Sequence, residues 1–140
     1  MDSSFFTLFV SIFIIGVLVF VAILLTSHKK YTFNKIEYQT VFLAIENSLV
    51  RSNALSYNMA IVDADKLLDK ALRESGVQGK TMGERLKKCG KEKFSNLNSV
   101  WSAHKIRNQI AHEPRFSVSY EQSKRALGIY RQALKDLGAI

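Results

Sequence analysis

FFTLFVSIFIIGVLVFVAILL, residues 5–25, is the stretch that decides how this 140-residue chain is organised. It holds 21 residues without a charge, and the uncharged window extends from Ser3 to Ser27. A helix of that length covers roughly 30 Å, which matches the hydrocarbon core of a bilayer. No polar face recurs at helical spacing, which argues against a soluble amphipathic helix. We therefore predict a transmembrane anchor over residues 1–27.

The flanks of this segment predict its orientation. A cleaved signal peptide is the poorer interpretation, because residues 1–4 carry no basic residue and no small-x-small cleavage site follows. Residues 28–35 read HKKYTFNK and form a basic juxtamembrane linker. Basic flanks stay on the cytoplasmic side, so we expect the N-terminus outside and the C-terminal domain in the cytoplasm. The single Cys89 has no partner for an internal disulfide, which agrees with a reducing compartment.

The rest of the chain is basic. All 20 Lys and Arg residues follow the apolar segment, together with 11 of the 12 acidic residues, which leaves nine excess positive charges there. Such an excess favours an anionic partner, either RNA or the anionic lipid surface beside the anchor. A solvated basic face is the alternative, and charge alone does not separate the two. The densest basic patch consists of Lys80, Arg85, Lys87, Lys88, Lys91 and Lys93.

Residues 36–140 show helical periodicity without strand alternation. A long helical pattern covers residues 36–75, with an interruption near Ser52 and Asn53, and Gly76 is expected to end it. Its second half carries one apolar stripe. The stripe consists of Ile61, Ala64, Leu68, Ala71 and Leu72.

Two capping boxes mark the starts of later helices. Thr81 with Glu84 opens a short helix that ends near Lys88, and Ser119 with Gln122 opens the last helix. In each box, a side-chain oxygen at either end of the motif accepts a hydrogen bond from a free backbone N–H group.

The penultimate helix carries the sequence WSAHKIRNQIAHEP at residues 101–114. Asn96 or Asn98 is expected to cap it, and it should end near His112 because Pro114 forbids normal continuation. Four helical segments with one apolar stripe each predict an antiparallel four-helix bundle over residues 36–140. The predicted fold is therefore all-α, with a single transmembrane helix followed by this bundle.

The first part of the long helical pattern carries more apolar surface than one short helix can cover. Val41, Phe42, Ile45 and Leu49 account for this surface. A domain of just over 100 residues gains stability from dimerisation. We expect either a second copy of the chain or another part of the same bundle to cover the excess.

Arg107, Asn108 and His112 are the candidate site residues of the penultimate helix. A guanidinium offers a planar fork of donors that suits a phosphate, and an imidazole exchanges a proton near neutral pH. Asn108 can orient the imidazole or bind an oxygen. Arg107 and His112 are separated by about 7.5 Å of rise and about 140° of turn on one helix. The sequence therefore leaves open whether they converge on one site.

Each candidate also has a structural interpretation. His112 can be an ordinary last residue of a helix, and His104 alone is more typical of a structural histidine. Trp101 can stack on a base, although large aromatic side chains more often pack in the core. Arg107 can form an ordinary ion pair instead of holding a phosphate. The carboxylates within its expected reach are those of Asp63, Asp65 and Glu113.

The run Arg107-Asn108-Gln-Ile-Ala-His112 near the end of this helix resembles the HEPN family. The signature of that family is an Arg followed a few residues later by a His, often with Asn, Asp or His directly after the Arg. The resemblance covers about residues 36–138. It implies a metal-independent endoribonuclease whose composite active site lies at a homodimer interface. In that role Arg107 positions the scissile phosphate, His112 assists proton transfer, Asn108 supports both, and a 2′,3′-cyclic phosphate is released.

Basic side chains near the motif are expected to bind the RNA backbone. These are Lys87, Lys88, Lys91 and Lys105. The HEPN family also contains members without nuclease activity, so a non-catalytic dimeric scaffold that binds RNA or protein at the membrane is the alternative function. A third hypothesis makes the anchor primary and the domain a recruiter of a partner.

Other chemistry finds no support in the motifs of this chain. It contains no GxGxxG, no phosphate-binding loop, no HExxH and no paired-cysteine metal site. We therefore expect no small-molecule cofactor and no metal. Cys89 lies among lysines that can favour a thiolate, but without a nearby base it is interpreted as a buried or incidental thiol.

Overall fold

The computed structural model of this protein describes residues 3–26 and 32–140, and all regular secondary structure in those ranges is helical. The all-α prediction is confirmed. The chain divides into two compact units at residues 31 and 32. Residues 27–31, which include half of the predicted linker, lie outside the described residues. The helices are α1 (Ser3–Thr26), α2 (Lys35–Asn47), α3 (Ala54–Glu74), α4 (Met82–Lys88), α5 (Leu97–His112) and α6 (Tyr120–Asp136).

The first unit contains the apolar helix α1. Its 24 residues carry no charge, and the 19-residue segment Phe5–Ile23 has a mean hydropathy of 3.0. Every side chain described between residues 5 and 23 is exposed. At 1.5 Å per residue the helix is about 36 Å long. By length and composition, α1 is therefore a helix that can cross a membrane.

The predicted long helix of the second unit is divided in two. α2 ends at Asn47, and α3 begins at Ala54 directly after Asn53. The side chain of Asn53 accepts a hydrogen bond from the backbone N–H of Leu55 at 3.1 Å. It therefore caps the new helix by satisfying one of its free donors. The interruption predicted near Ser52 and Asn53 is confirmed.

α3 is the central helix of the second unit, because α2, α4, α5 and α6 all pack against it. Its predicted apolar stripe is fully buried. The predicted residues are Ile61, Ala64, Leu68, Ala71 and Leu72, and Ala60 is buried beside them. A polar residue on the buried face of α3 can therefore contact residues of several other helices of this unit.

Gly76 ends α3, as predicted. Its φ angle of 75° lies in the left-handed region, where a residue with a Cβ atom is strained. The chain reversal lets the backbone N–H of Val77 donate to the carbonyl of Leu72 at 3.0 Å. This hydrogen bond satisfies a free carbonyl at the end of the helix and turns the chain towards α4.

α4 begins at the predicted residue, but its cap differs in detail. The hydroxyl of Thr81 accepts a hydrogen bond from the backbone N–H of Glu84 at 3.2 Å. The Glu84 carboxylate accepts from the backbone N–H of Lys80 at 2.7 Å, whereas the reciprocal bond of a standard capping box comes from the N-cap residue, here Thr81. The reciprocal bond of the capping box therefore reaches one residue further from the helix.

Arg85 is buried, which removes it from the predicted basic patch. Only 7 % of this residue is exposed, and its Nη1 donates to Oδ1 of Asp69 at 2.7 Å. The pair joins α4 to α3. An arginine held in this way fastens two helices together and is not available to bind the RNA backbone.

The last two helices match the predicted boundaries closely. α5 ends at His112, before Pro114. At the start of α6 the Ser119 hydroxyl accepts from the backbone N–H of Gln122 at 3.1 Å, and the Gln122 side chain accepts from the backbone N–H of Ser119 at 2.8 Å. This predicted capping box is complete. Asn96 occupies the N-cap position of α5 but forms no side-chain cap.

The apolar surface of α2 is covered only in part within this unit. Phe42 and Ile45 are buried in the core, whereas Val41 is exposed. Ile36 and Leu43, which lie seven residues apart and so on one face of the helix, are also exposed. Another part of the same unit therefore covers one portion of the surface that the sequence marked as excess.

Candidate functional site

Arg107 of α5 forms an ion pair with Asp65, one of the three carboxylates that the sequence analysis gave as possible structural partners. Its Nε atom lies 3.5 Å from Oδ2 of Asp65 on α3. Nε forms no hydrogen bond in the described part of the chain, so this contact is electrostatic. Its Nη1 donates a hydrogen bond to Oδ1 of Asn108 at 3.1 Å. The side chain of Arg107 is still 29 % exposed, so the guanidinium is held from two sides without being enclosed.

His104 contacts both partners of Arg107, namely Asp65 and Asn108. Its Nδ1 lies 2.8 Å from Oδ1 of Asp65, and its Nε2 lies 3.3 Å from Nδ2 of Asn108. The Asn108 oxygen already accepts from Arg107, so the Asn108 nitrogen faces the imidazole as a donor. Nε2 must then accept, and the ring proton belongs on Nδ1, which donates to Asp65. His104 is therefore the Nδ1–H tautomer.

Asp65, His104, Asn108 and Arg107 therefore form a closed circuit of side chains, which we call the polar ring. Tyr130 of α6 adds to it by donating from its hydroxyl to Oδ1 of Asp65 at 3.0 Å. Burial raises the pKa of Tyr130 well above its usual value, and the nearby charge of Asp65 adds to that effect. The phenol is thus kept in its donor form, which stabilises the buried carboxylate.

Asp65 is the main site residue that the sequence analysis did not select, beyond naming it as a possible partner of Arg107. Only 3 % of it is exposed. A signal was present, since Asp65 lies about 40° from Ile61 and about 20° from Leu72 on a helical wheel, inside the apolar stripe. A carboxylate at such a position must be hydrogen-bonded when buried. That rule predicts partners for Asp65, although it does not name them.

Arg107, Asn108 and His112 line one cleft of about 760 Å³ between α3, α4 and α5. Residues from two turns of α5 therefore line the same cavity, although the side chains of Arg107 and His112 point in different directions. His112 is exposed. Its imidazole forms no hydrogen bond or ion pair with any residue that the structure describes. The imidazole of His112 is therefore accessible from the cleft but is not oriented by a neighbour.

The predicted RNA-binding lysines divide into two groups. Lys87 and Lys105 line the cleft, and Lys66 of α3, which the sequence analysis did not single out, lines it as well. Lys88 and Lys91 are exposed but lie outside the cleft lining. Acidic side chains accompany the basic ones in the lining. The cleft therefore has a mixed, charged surface, on which the lysines are the groups that suit an anionic backbone.

Trp101 both packs against its neighbours and borders the cleft. It is half-buried, and its ring meets that of His104 edge to face at 6.1 Å between centroids. Gly83 on α4 completes this wall. A Cβ atom at Gly83 would lie 3.6 Å from Nε2 of His104 and 3.9 Å from the Trp101 ring. α4 therefore covers the imidazole closely, which explains why His104 is only 7 % exposed.

The remaining chemical candidates do not join this site. Cys89 is buried, and its burial raises the pKa of the thiol, which disfavours a reactive thiolate. The interpretation of Cys89 as a buried thiol is confirmed. Among the described side chains, no group of three or more His, Cys, Asp or Glu residues has an arrangement suited to a metal ion.

Comparison of the chain with protein-family models, with curated proteins and with solved structures finds no match. The geometry of the cleft and the polar ring is therefore the basis on which a function is argued.

Proposed function

We propose that this protein is a membrane-tethered, HEPN-like endoribonuclease that needs no metal. Residues 36–140 are proposed to form the HEPN-like bundle, with α2, α3, α5 and α6 as its four long helices and α4 as a short connection. The composite active site is proposed to form between two copies of the chain. Arg107 and His112 act in it, and Asn108 supports them.

The observation that carries this proposal is that Arg107 and His112 line the same cleft. Lys66, Lys87 and Lys105 border that cleft and offer positive charge to a backbone of phosphates. Nη2 of Arg107 forms no hydrogen bond or ion pair with the described residues. Nη2 is thus a donor group that is not already committed, on a guanidinium whose Nε and Nη1 each face a protein partner.

The chemistry follows from these groups. The 2′-hydroxyl oxygen attacks phosphorus while its proton passes to the imidazole of His112. The bond from phosphorus to the 5′ oxygen breaks, and that oxygen takes a proton from the imidazolium of His112 in the second copy. Arg107 stabilises the charge that develops on the phosphate oxygens. The products are a 2′,3′-cyclic phosphate and a free 5′-hydroxyl.

The test uses the full-length protein in detergent micelles, incubated with RNA in the presence of EDTA. Arg107→Ala and His112→Ala should each reduce cleavage by roughly 100-fold or more, the usual effect of losing a charge-stabilising or proton-transfer group. Arg125→Ala is the matched control, because Arg125 is exposed on α6 and lies outside the cleft lining. Equal cleavage by the wild type and both site variants would exclude this active site.

One observation favours a second function, in which the same domain is a non-catalytic dimeric scaffold that binds RNA or protein at the membrane. The imidazole of His112 has no orienting partner within the described residues, whereas a general base is usually held in place. RNA binding without cleavage, lost in Arg107→Ala but kept in His112→Ala, would establish the scaffold. Light scattering of the micelle-bound protein measures the copy number, and a strict monomer would contradict the composite site.

α1 is proposed to be the membrane anchor, with the N-terminus outside and the helical domain in the cytoplasm. Its length and composition support the span, and the lysines that follow it support the orientation. A cytoplasmic domain would meet RNA directly, which agrees with the proposed substrate class.

A further inference from the structure

His104 has the surroundings of a residue that acts through its neighbours. It is 7 % exposed, its Nδ1 is bound to Asp65, and its Nε2 faces Asn108. The Trp101 ring lies against one side, and Gly83 closes another. His104 belongs to the lining of the cleft, but because it is buried a ligand there has little access to its imidazole. We therefore expect its effect on the site to pass through Asn108 and Asp65.

We propose that His104 is a positioning residue whose Nε2 fixes the amide of Asn108 and thereby fixes the guanidinium of Arg107 for a phosphate. The proposal deepens the proposed function and rests on it for the ligand that Arg107 receives. It assigns a role to a histidine outside the Arg107–His112 motif. The role needs one particular atom of His104, the acceptor Nε2, and not merely a side chain that fills the same space.

The direction of the hydrogen bonds carries the argument. Nη1 of Arg107 is a donor and requires the Asn108 oxygen, at 3.1 Å. The Asn108 nitrogen is then left to donate to Nε2 of His104, at 3.3 Å. If the amide turned over, its nitrogen would face the guanidinium and two donors would meet. An acceptor at Nε2 therefore selects the amide orientation that Arg107 needs.

Asp65 fixes the tautomer of His104 in the same way, through the direction of a hydrogen bond. Its carboxylate accepts a hydrogen bond from Nδ1–H, which keeps the ring proton away from Nε2. Its second oxygen lies 3.5 Å from Nε of Arg107. The guanidinium is thus held at Nη1 by Asn108 and at Nε by Asp65. Ordering the side chain before a ligand arrives removes an entropic cost from binding.

Two substitutions at His104 separate this role from simple packing. His104→Gln can place an amide oxygen near the position of Nε2, where it accepts from Asn108. His104→Asn keeps a donor near Nδ1 for Asp65 but is too short to reach Asn108. Both variants lose the imidazole, so a purely structural role predicts similar damage. The positioning role predicts that only His104→Asn releases Arg107.

The first measurement needs no ligand. The full-length protein, ¹⁵N-labelled at arginine, is studied in detergent micelles, and the Arg107 Nε–H signal is assigned by its loss in Arg107→Lys. His104→Asn should speed exchange of this proton with water by roughly tenfold, because releasing the hydrogen bond between Nη1 and Asn108 frees the guanidinium to expose the buried Nε–H group, whereas His104→Gln should stay within about threefold. Similar acceleration in both variants, or none in His104→Asn, would overturn the proposal.

A double-mutant cycle tests the route of the effect. Asn108→Ala removes the link between His104 and Arg107, so adding His104→Asn to it should produce no further acceleration. Additive effects would show that His104 acts on Arg107 by another path, and would contradict the relay.

The second measurement is the affinity for a single-stranded RNA. His104→Asn should weaken binding by roughly tenfold, and His104→Gln should retain it within about threefold. Failure of the wild type to bind RNA would refute the proposed function, and the exchange measurements would still decide whether His104 positions Arg107. Binding that is lost equally in both variants would overturn the role of Nε2.

Discussion

Nδ1 of His104 lies 2.8 Å from Oδ1 of Asp65, although 39 residues separate the two in the chain. The contact joins α5 to α3 and closes the polar ring behind Arg107. A carboxylate this deeply buried is stabilised only by hydrogen bonds and charge. Asp65 receives both, from His104, Tyr130 and Arg107.

The first prediction concerns Asp65→Asn, which keeps the shape of the side chain but removes its charge. It should lower the free energy of unfolding by about 2 kcal/mol, because an amide nitrogen then faces groups that need an acceptor. Asp63→Asn is the matched control on the same helix. Asp63 is about half-exposed and pairs with Lys66 at 3.5 Å, so its loss should change stability by less than about 0.5 kcal/mol.

Urea unfolding, followed by the fluorescence of Trp101, measures both variants. Trp101 is the single tryptophan and its ring contacts His104, so it reports directly on the region of the polar ring. Equal stability of the two variants would mean that the buried contacts of Asp65 contribute little.

The second prediction compares two pairs of lysines in RNA binding. Lys87→Ala with Lys105→Ala removes two charges from the cleft lining, and Lys88→Ala with Lys91→Ala removes two exposed charges outside it. If each cleft lysine contacts a phosphate, the first double variant should reduce the slope of log affinity against log salt by about 1.4 for single strands. The second should leave the slope unchanged. Salt titrations of RNA affinity give both slopes, and equal losses would move the binding surface away from the cleft.

The third prediction concerns two glycines that have no neighbouring atom within 4 Å of an added Cβ. Gly138 has a φ angle of 76°, so Gly138→Ala should destabilise the protein by roughly 1 kcal/mol through backbone strain. Gly128 lies inside α6 and is exposed, so Gly128→Ala should stabilise it by about 0.5–1 kcal/mol. Thermal unfolding of the two variants should therefore shift in opposite directions. A common sign would be inconsistent with a purely backbone effect.

The fourth prediction concerns stability at high pH. Burial raises the pKa of Tyr38 and of Tyr130, and the Glu74 and Asp65 carboxylates add to the shifts. Above a pH of about 10 the unfolded chain releases phenolic protons that the folded chain keeps, so stability falls as the pH rises. Each phenol contributes a slope of about 1.4 kcal/mol per pH unit in that range. Tyr130→Phe should remove one such slope, as measured by urea unfolding between pH 9 and pH 12; an unchanged slope would contradict the shift.

The fifth prediction concerns topology. Cys89 is buried and is a poor target for labelling. Arg125→Cys in a Cys89→Ala background places an exposed thiol on α6. A membrane-impermeant maleimide should label this variant only after the cells are permeabilised. Labelling of intact cells would place the helical domain outside and refute the proposed orientation.

The helix boundaries could be predicted because the forces that set them are local. Caps at Thr81 and Ser119, the left-handed Gly76 and the position of Pro114 each act within a few residues. Glu84 is the exception, because its carboxylate accepts from the N–H of Lys80, one residue before the N-cap Thr81. Local chemistry thus located the cap but did not decide between two adjacent N–H groups.

The sequence did not predict which lysines line the cleft. Density along the chain selected Lys87, Lys88 and Lys91 together, but only Lys87 of these lines the cleft. Lys87 and Lys88 are neighbours on α4 and point in different directions, and Lys91 lies beyond the end of that helix at Lys88. Lys66 reaches the same cleft from a different helix, which no count of neighbouring charges reveals.

The amino-acid sequence predicted an uncharged apolar helix, the helices that follow it and the apolar stripe of α3, because composition and periodicity act over short distances. It also marked Arg107, Asn108 and His112 as candidates. Only the tertiary structure decided that Arg107 is tied to Asp65 and that His104 belongs to the same ring. Those contacts join α3, α5 and α6, and their partners lie up to 65 residues apart. The packing of helices around α3 sets such distances, and no local pattern encodes them.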